Sequence, residues 1–511
     1  MVMARLELLL EQLGGACEFP SGGGPEILDV RLDSRFVGAG DLFAALPGRT
    51  ADGARFVSEA VARGARAVLS PARLSPEPSV PNWIHAEARR IAGEAAALVH
   101  GRPSNAMFVA GVTGTNGKTT TAHLIGQLLA RAGRRPAVLG TAGHRLAGGL
   151  GLAAKHTTPD APELQRLIAR HRDLGGDSVA LELSSHALEQ ERHAGLELSV
   201  GIFTNLTRDH LDYHGDMERY AAAKERLFDS LPPSATAIVN ADDPVSQRMA
   251  AAARRRGARV VTFSTRSRAD LRASGLELGS RGTAVTIHGM GIPRTRVRLP
   301  LVGRYNVENV LAALAAVLQG GASPSNALEG LATVAPVPGR LEPVGEGQGG
   351  FALLVDYAHT EDALRRVLES LRQGLAREAR ERGDHGGRLV LVFGCGGDRD
   401  PGKRAPMGAV ANQLADVAIV TSDNPRGEDP RAIVEAILAG MQPRQAEVRV
   451  EPERRAAIAL AVSLARAGDV VLIAGKGHET TQTIGAESVP FDDRQVAAEA
   501  LRARRRAESG G

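Results

Sequence analysis

The sequence predicts an α/β protein of three domains, and two observations support this. The chain of 511 residues is too long for one ordinary hydrophobic core, because a domain commonly holds about 150 residues. From about residue 99 onward, short apolar segments alternate with amphipathic segments, which is typical of a mainly parallel sheet with crossover helices. A hydrophobic fraction of 43% and a charged fraction of 23% are those of a soluble globular protein.

Three ranges differ in pattern, and each predicts one domain. Residues 1–98 contain short strand segments such as GDLFAAL and an Ala-rich helix, which indicate a small N-terminal α/β domain. Residues 99–335 begin with the apolar strand MFVAGV and include a β-meander over residues 270–302. Residues 336–511 contain a further alternating unit that starts with FALLVDYAH, and they predict a C-terminal α/β domain.

Composition argues against several classes of protein. A net charge of +4 over the whole chain and 3% aromatic residues do not indicate a nucleic-acid-binding protein. No window holds 18 uncharged apolar residues, and the N-terminal MVMARLELLLEQLGG has acidic residues inside its apolar run, unlike a cleavable signal. The two cysteines, Cys17 and Cys395, fit a reducing compartment. We therefore expect a cytoplasmic protein without a membrane span or a nucleic-acid partner.

Lysine is scarce in this chain. Of 62 basic residues only five are lysine, which leaves 57 arginines. A guanidinium cannot replace a compact ammonium or an amine that must lose its proton. The five lysines could be distributed at random along the chain. We interpret them instead as candidate positions for chemistry: Lys118, Lys155, Lys224, Lys403 and Lys476.

The stretch GVTGTNGKTTT, residues 111–121, lies between the strand MFVAGV and the helical segment KTTTAHLIGQLLA. The strict pattern G-x-x-x-x-G-K-[ST] requires glycine at position 112, where this chain has Val112. The context nevertheless predicts a phosphate-binding loop, because free N–H groups and the positive end of the helix dipole favour phosphate at a strand-to-helix turn.

Each residue type in the loop has a physical role in phosphate binding. Gly114 and Gly117 allow close approach of the backbone, and Lys118 can neutralise the β and γ phosphates. Thr119 or Thr120 can bind magnesium through its hydroxyl. A guanine-reading Asn-Lys pair, which a GTPase would need, does not occur in the chain.

Two segments downstream offer candidate metal ligands. SVALELSSH ends an apolar strand with Glu182, and a carboxylate there needs a partner such as Mg²⁺. The alternative is an ordinary carboxylate at a strand end. His210 and His214 have a spacing that could suggest zinc, but no cysteine or third histidine accompanies them at a useful spacing, which disfavours zinc.

The helical segment MERYAAAKERLFDSL places Lys224 on an apolar face with Tyr220, Leu227 and Phe228. A lysine on such a face usually extends its ammonium to solvent. Burial would instead lower its pKa and supply a neutral amine, which is the form that reacts with carbon dioxide.

The segment TGTNGKTT resembles the ATP loop of the Mur ligases, amide-forming enzymes of peptidoglycan synthesis, and of their relative folylpolyglutamate synthetase. The resemblance covers nearly the entire chain, from LDSR to GKGHE. It implies a UDP-binding N-terminal domain, a central P-loop ATPase-like domain and a C-terminal Rossmann-like domain that binds an amino acid.

The resemblance also implies the nucleotide and metal site. ATP would contact the residues of the loop and of three later segments: Gly114, Thr115, Asn116, Gly117, Lys118, Thr119, Thr120, Asn306, Asn309, Arg340 and Asp356. His210 would serve a second magnesium, and Lys224 would become a carbamate that supplies anionic oxygens. The implied magnesium ligands are Thr119, Glu182, His210 and the carbamate of Lys224, and the implied catalytic residues are Lys118, Glu182, His210 and Lys224.

DSRFVGAGDLFAALPGRTADG resembles the UDP-binding turn of the UDP-N-acetylmuramoyl-tripeptide synthetases within this family. The residues it implies near the uridine diphosphate are Leu32, Ser34, Arg49, Thr50 and Ala51. Two further segments, KHTTPDAPELQ and SSHALEQER, imply contacts with the muramoyl peptide through His156, Thr157, Thr158, Ser184, Gln190 and Arg192. Position 156 departs from the asparagine of many members.

DNPR, residues 423–426, resembles the signature of members that add meso-diaminopimelate rather than lysine. The guanidinium of Arg426 can hold the distal carboxylate that lysine lacks, while Glu479 faces the distal amine. Without the resemblance, DNPR indicates only a strand followed by a turn. The implied pocket consists of Arg399, Asp423, Asn424, Pro425, Arg426, Gly475 and Glu479.

These features predict an ATP-dependent ligase. The resemblance implies three substrates: ATP, UDP-N-acetylmuramoyl-L-alanyl-D-glutamate and meso-diaminopimelate. The last two would be joined through an acyl phosphate, with Mg²⁺ as cofactor, and we expect the protein to be a monomer. The alternatives are a lysine-adding enzyme, folylpolyglutamate synthetase, and a P-loop regulatory protein that binds nucleotide without turnover.

Overall fold

A computed structural model describes most of the chain, in the ranges 4–18, 24–48, 51–345, 350–383 and 385–509. Its strands form sheets of four, eleven and six strands, each associated with helices, and two short two-stranded pairs. The predicted α/β class with three domains is confirmed. The residue boundaries of the domains stay a prediction.

The N-terminal part contains a four-stranded parallel sheet in the order β3-β4-β5-β6. Apolar residues on one face of these short strands pack against α3, and Trp83 is fully buried among them. On the other face, Phe43 and Val68 pack with Val57 and Ala60 of α2. The elements are β1 Ala4–Arg5, α1 Leu6–Leu13, β2 Glu26–Ile27, β3 Val30–Arg31, β4 Leu42–Ala44, α2 Val57–Ala62, β5 Ala67–Ser70, β6 Asn82–Ile84 and α3 Ala88–Val99.

The first half of the central part starts with the strand that precedes the phosphate-binding loop. Alternation of apolar strands with amphipathic helices gives crossover connections. The elements are β7 Phe108–Thr113, α4 Lys118–Arg131, β8 Pro136–Gly140, β9 Gly143–Arg145, β10 Gly151–Leu152, α5 Ala161–Asp173, β11 Ser178–Glu182, α6 Ser185–Glu189, β12 Val200–Phe203, α7 Leu211–His214 and α8 Met217–Asp229.

The second half of the central part completes the eleven-stranded sheet, whose order is β10-β9-β8-β11-β7-β12-β13-β14-β15-β16-β17. Strands β8 to β15 in this order are parallel, and β15, β16 and β17 form the antiparallel meander that the sequence predicts. The elements are β13 Thr236–Asn240, α9 Ser246–Arg255, β14 Arg259–Ser264, β15 Leu271–Gly279, β16 Gly282–Gly289, β17 Ile292–Leu299, α10 Arg304–Gln319 and α11 Pro324–Leu331.

The C-terminal part has a six-stranded sheet in the order β18-β19-β23-β20-β21-β22, parallel except for β18. The elements are β18 Glu342–Pro343, β19 Ala352–Asp356, α12 Glu361–Arg382, β20 Leu389–Phe393, α13 Arg404–Leu414, β21 Val417–Val420, α14 Pro430–Leu438, β22 Glu447–Val450, α15 Arg454–Leu464, β23 Val470–Ala474, β24 Thr481–Ile484, β25 Glu487–Pro490 and α16 Asp493–Ser509.

The register of the central sheet gathers polar groups at one edge. Glu182 at the end of β11 pairs with Val112 of β7, and Phe203 at the end of β12 pairs with Thr113. The carboxyl ends of β11, β7 and β12 therefore lie side by side. In open parallel sheets this edge is where ligands bind.

No helix within the described ranges is both long and apolar enough to cross a membrane.

Asp29 connects the N-terminal part to the central part. Its carboxylate accepts hydrogen bonds from His100 Nε2 at 3.1 Å and from Arg166 Nε of α5 at 2.9 Å.

The C-terminal part contains a fully buried ion pair. Arg454 at the start of α15 donates to both carboxylate oxygens of Asp493, at 2.8 and 2.7 Å, and neither side chain is exposed. Arg454 also donates to the carbonyls of Ser422 and Ala474. The pair thus joins the loops after β21 and β23 to the start of α16.

We expect Arg454→Met to lower the free energy of unfolding by about 3 to 5 kcal/mol, because it leaves the Asp493 carboxylate buried without its cation. The neighbouring Arg455→Met is the matched control: Arg455 pairs with Glu499 at the surface, and its loss should cost less than about 1 kcal/mol. Urea unfolding followed by far-ultraviolet circular dichroism compares the two, and equal losses would contradict the interpretation.

Candidate active site

The phosphate-binding loop is closely packed by its neighbours. Gly114 and Gly117 both have positive φ angles, of 148° and 88°. A Cβ atom at Gly114 would lie 1.9 Å from the Thr204 hydroxyl, and one at Gly117 would lie 2.2 Å from Asn309 Oδ1. Both positions therefore require glycine, for space as well as for backbone conformation.

The departure from the strict phosphate-loop pattern lies in the strand before the loop. Val112 belongs to β7, is fully buried, and pairs with Glu182 on one side and Ile202 on the other. A side chain at this position fills the core and does not obstruct the turn that follows.

Lys118 begins α4 and folds back over the loop. Its Nζ donates to the carbonyls of Gly114 at 2.9 Å and of Thr115 at 2.8 Å. Desolvation lowers the pKa of Lys118, while the carboxylates of Glu182 and Asp209 oppose this shift. The lysine thus places its amine at the centre of the loop.

Glu182 is 1% exposed and is fully engaged in hydrogen bonds. Its Oε2 accepts from the Thr119 hydroxyl at 2.9 Å and from the Thr141 hydroxyl at 3.1 Å, and its Oε1 accepts from Thr141 N at 2.8 Å. The carboxylate thereby joins the first turn of α4 to the loop after β8. Sequence reasoning did not identify Thr141, whose contact depends on the packing of two neighbouring strands.

Lys224 is fully buried in α8, and its Nζ has no hydrogen-bond partner among the described residues. The amine lies 4.3 Å from the centre of the Tyr220 ring, and the Tyr220 hydroxyl lies 3.1 Å from Thr115 Oγ1 of the loop. Burial, together with the charge of Lys118, holds the pKa of Lys224 well below its usual range. The predicted neutral amine is therefore consistent with this environment.

The two histidines of the segment TNLTRDHLDYHGD have different surroundings. The His210 side chain is 45% exposed, with Nε2 3.5 Å from Asp209 Oδ2, and its backbone has a positive φ of 54°. His214 is buried, with one ring nitrogen 2.9 Å from Ser185 Oγ and the other 3.2 Å from Glu189. Only His210 thus keeps access to solvent beside the loop.

The donor set at this site is compatible with magnesium, which prefers oxygen ligands. Thr119 and Glu182 offer a hydroxyl and a carboxylate in contact with each other, and the Lys224 amine without a partner would supply two further oxygens if it were a carbamate. Among the described residues, no group of three or more His, Cys, Asp or Glu side chains is placed to hold a metal.

A cavity opens beside the loop. Eight of the eleven predicted ATP-contacting residues line it; the exceptions are Gly114, Thr115 and Lys118. The lining residues come from the loop, from α10 and from the C-terminal part: Asn116, Gly117, Thr119, Thr120, Asn205, Tyr305, Asn306, Asn309, Arg340, Asp356, Ala358, Ala363, Arg366 and Val367.

Residues of the C-terminal part contact the loop directly. Arg340 donates to the Thr119 hydroxyl at 3.1 Å, and its guanidinium lies 4.7 Å from the centre of the Tyr357 ring. Asp356 accepts hydrogen bonds from the backbone of Leu341 and Ala358, and burial raises the pKa of its carboxyl. The cavity is therefore closed by two parts of the chain that are distant in sequence.

Sequence reasoning missed a second contact of this kind. Asp362, in the first turn of α12, accepts from Asn116 Nδ2 at 2.9 Å, from Thr207 Oγ1 at 3.0 Å and from Arg366 Nε at 2.9 Å. The helix dipole favours an acidic residue at the N-terminus of any helix, whether or not that residue also contacts another part of the chain. Its sequence signal is thus indistinguishable from that of an ordinary helix start.

The turn predicted to bind UDP lies next to the central part. Ser34 is buried and donates to Glu59 Oε2 at 3.0 Å, Leu32 is half-buried, and Ala51 is exposed. The ring of Phe36, two residues after Ser34, lies 4.8 Å from the Nζ of Lys155. Two further predicted residues, Arg49 and Thr50, lie outside the described residues.

The residues predicted for the muramoyl peptide are brought together next to Glu182. The Thr158 hydroxyl donates to the Glu182 carbonyl at 2.8 Å and accepts from Ser184 N at 3.2 Å. Arg192 donates to the Thr158 carbonyl at 2.8 Å and to Gln190 Oε1. The Thr157 hydroxyl accepts from Thr141, whereas His156 is exposed.

The predicted amino-acid pocket lies at the carboxyl ends of β20, β21 and β23. Asn424 Nδ2 donates to Glu479 Oε2 at 2.9 Å, and Arg426, with a positive φ of 51°, donates to the Gly397 carbonyl at 2.8 Å. A Cβ atom at Gly475 would lie 2.5 Å from Asp423 Oδ2. Pro425 is buried between them, and Arg399 is exposed.

The predicted amino-acid pocket and the cavity beside the loop adjoin each other. A Cβ atom at Gly339, the residue before Arg340, would lie 2.1 Å from His478 N, and the His478 and Tyr357 rings are 5.0 Å apart. The turn that carries Glu479 is therefore packed against the turn that carries Arg340.

Comparison with known proteins establishes the family. Residues 112–317 match the Mur ligase middle domain, residues 339–477 match the Mur ligase glutamate ligase domain, and residues 26–100 match the catalytic domain of the Mur ligase family. The chain belongs to the Mur ligase family.

Individual relatives match over nearly their full length. The UDP-N-acetylmuramoyl-L-alanyl-D-glutamate–2,6-diaminopimelate ligase of Geobacillus kaustophilus is 44% identical over 496 residues, covering 94% of this chain and 96% of that protein. The ligase of the same name from Streptomyces coelicolor is 42% identical, with coverage of 97% and 96%. A solved structure of a ligase of this name is 34% identical, with a TM-score of 0.70 and coverage of 97% and 99%.

The fold extends to more distant members. The structure of UDP-N-acetylmuramoylalanyl-D-glutamyl-2,6-diaminopimelate–D-alanyl-D-alanyl ligase from Acinetobacter baumannii has a TM-score of 0.62 at 19% identity, and it covers 98% of both chains. At this identity the comparison supports the shared three-domain architecture alone.

We expect Lys224→Met to stabilise the protein by about 1 to 3 kcal/mol in buffer free of carbon dioxide and magnesium, because it removes a buried amine without a partner. Lys155→Met is the control, since Lys155 is exposed and should change stability little. Denaturant unfolding measures both. A Lys224→Met protein less stable than the parent would show that the amine has a partner in solution.

Proposed function

We propose that this protein is an ATP-dependent ligase that joins meso-diaminopimelate to the D-glutamate of UDP-N-acetylmuramoyl-L-alanyl-D-glutamate during peptidoglycan precursor synthesis. The observation that carries the proposal is the position of Glu182, whose carboxylate contacts Thr119 of the nucleotide loop while its carbonyl accepts from Thr158 of the predicted peptide-binding segment. Relatives with this activity in their names, at 42–44% identity, supply the substrates.

The proposed reaction has two steps. A side-chain carboxylate oxygen of D-glutamate attacks the γ phosphorus of ATP, the bond to the β–γ bridging oxygen breaks, and ADP leaves. The amine of diaminopimelate then attacks the carbonyl carbon of the acyl phosphate, and the tetrahedral intermediate loses phosphate and a proton to give the amide. ATP is needed because a carboxylate is unreactive toward an amine at neutral pH.

The chain's own residues would act mainly by positioning and charge neutralisation. The loop N–H groups and Lys118 would hold the phosphates, and Arg340, next to Thr119, would face the transferred phosphoryl group. Asn306, Asn309 and Asp356 would orient the rest of the nucleotide in the cavity.

Magnesium, when bound, would neutralise phosphate charge as the reaction proceeds. We propose that two magnesium ions are held by Thr119, Glu182, His210 and a carbamate on Lys224, with His210 at the second ion. The support from this chain is the Thr119–Glu182 contact and the buried Lys224 amine that lacks a partner. A carbamate would turn that amine into an anionic oxygen ligand.

The choice of amino acid would depend on Arg426 and Glu479. Diaminopimelate has a carboxylate beside its distal amine, and lysine has the amine alone. A guanidinium can hold that carboxylate with two parallel hydrogen bonds, and Glu479 can accept from the amine. If the substrate were lysine, the Arg426 guanidinium would have no substrate carboxylate to bind.

We further propose that the protein works as a monomer in the cytoplasm, where ATP and UDP-linked precursors are available. The three substrates would enter from three parts of the chain that meet around Glu182 and Arg340. Contacts such as Asp362 with Asn116 would close the C-terminal part over the nucleotide and keep water from the acyl phosphate.

Release of ADP tests the function. With UDP-N-acetylmuramoyl-L-alanyl-D-glutamate present, we expect ADP release to require an amino acid and to be faster with meso-diaminopimelate than with lysine. Release that needs neither substrate would contradict the ligase, whereas nucleotide binding without ADP release would favour a regulatory P-loop protein. Faster turnover with lysine would contradict the pocket assignment.

We expect Arg426→Lys to reduce the preference for diaminopimelate over lysine by about tenfold or more, because an ammonium cannot replace two parallel guanidinium hydrogen bonds. Arg431→Lys on the exposed face of α14 is the matched control and should keep the preference. The ratio of kcat/KM values for the two amino acids is the measurement, and an unchanged ratio in Arg426→Lys would exclude this role.

A further inference from the structure

Lys476 is a buried lysine in the turn that follows β23, and it has no role in the proposed reaction steps. Its side chain is fully buried. Three acceptors surround its Nζ: the Thr481 carbonyl at 2.6 Å, Asn424 Oδ1 at 3.0 Å and Glu479 Oε2 at 3.2 Å. The ammonium therefore has a hydrogen-bond acceptor for each of its three protons.

These contacts fix the orientation of the Asn424 amide. Its Oδ1 accepts from Lys476 Nζ and from Thr483 N at 3.0 Å, so its Nδ2 must point the other way, toward Glu479 Oε2 at 2.9 Å. Rotating the amide by half a turn would place its NH₂ group against two donors. Lys476 and Thr483 N thus together determine which atom Asn424 presents to Glu479.

The same contacts leave one oxygen of Glu479 for a ligand. Oε2 accepts from both Lys476 and Asn424, whereas no described residue donates a hydrogen bond to Oε1. The carboxylate is about one-third exposed, so Oε1 can be reached from the pocket. A carboxylate held at one oxygen has little freedom to turn toward the guanidinium of Arg426.

Lysine suits this position better than arginine. The three acceptors converge on a single atom, which matches the tetrahedral geometry of an ammonium, whereas a guanidinium is planar and spreads its donors over a larger fork. A chain that uses arginine at 57 of 62 basic positions keeps lysine here.

We propose that Lys476 is a positioning residue that holds Glu479 through Oε2 and thereby sets Oε1 to accept the distal ammonium of the incoming diamino acid. The inference rests on the proposed function, because it takes the pocket of Glu479 and Arg426 to be the diaminopimelate site. Lys476 itself touches no substrate and acts through Glu479.

Kinetics of Lys476→Met test this role, since methionine keeps the length of the side chain but removes the charge. We expect the KM for diaminopimelate to rise about tenfold or more, while the KM values for ATP and for the UDP-linked dipeptide stay within about twofold. Lys476→Arg should not restore the parental KM. A similar rise in all three KM values, or full rescue by arginine, would overturn the proposal.

A double-mutant cycle separates positioning from general destabilisation. If Lys476 acts through Glu479, then adding Lys476→Met to Glu479→Gln should change the KM for diaminopimelate by less than about twofold. A larger change would overturn the proposal. This comparison uses only Glu479→Gln and the double variant, so it can be made even where Lys476→Met alone fails to fold.

Assays of the parental protein distinguish failure of the proposed function from failure of the positioning role of Lys476. Absence of product from diaminopimelate with the parental protein would refute the proposed function itself. Product formation by the parental protein, with an unchanged KM in Lys476→Met, would overturn only the positioning role of Lys476.

Discussion

The hydrogen bond between the buried carboxylate of Glu182 and the Thr119 hydroxyl joins the end of β11 to the first turn of α4, and the active centre is arranged around it. Burying a carboxylate is costly unless it is hydrogen-bonded, so Thr119 and Thr141 must stay in place for the fold as well as for the site. The backbone of the same residue holds Thr158. One strand end thus positions the nucleotide loop, the loop after β8 and the peptide segment together.

Closure of the site depends on contacts between the central part, with its eleven-stranded sheet, and the C-terminal part, with its six-stranded sheet. Arg340 contacts Thr119, and Asp362 contacts Asn116, so the C-terminal part contacts the loop at two points. The buried pair of Arg454 and Asp493 joins the loop after β21 to the end of β23, behind the predicted amino-acid pocket. A change in either set of contacts would alter the distance between activated carboxylate and attacking amine.

Much of this arrangement follows from local sequence. The loop, the strand end at Glu182 and the apolar face that carries Lys224 each have a signal within about fifteen residues, because each depends on helix or strand periodicity. Resemblance to the family added Arg340, Asp356 and the DNPR segment, which have no convincing local signal.

Other contacts could not be predicted because they depend on which strands become neighbours. Thr141, Tyr305, Asp362 and Arg366 are ordinary residues in their own segments, and only the packed structure brings them to the loop or the cavity. Lysine scarcity marked Lys476 as unusual, but its three acceptors come from the ends of two strands and a hairpin.

Transfer of oxygen tests the central claim, carboxylate activation by ATP, most directly. Both oxygens of the D-glutamate side-chain carboxylate in the UDP-linked dipeptide would be labelled with ¹⁸O, and the inorganic phosphate formed with diaminopimelate would be analysed by mass spectrometry. An acyl phosphate passes one carboxylate oxygen to phosphate, so the account predicts one ¹⁸O in each phosphate released. Unlabelled phosphate, formed together with the amide, would contradict it.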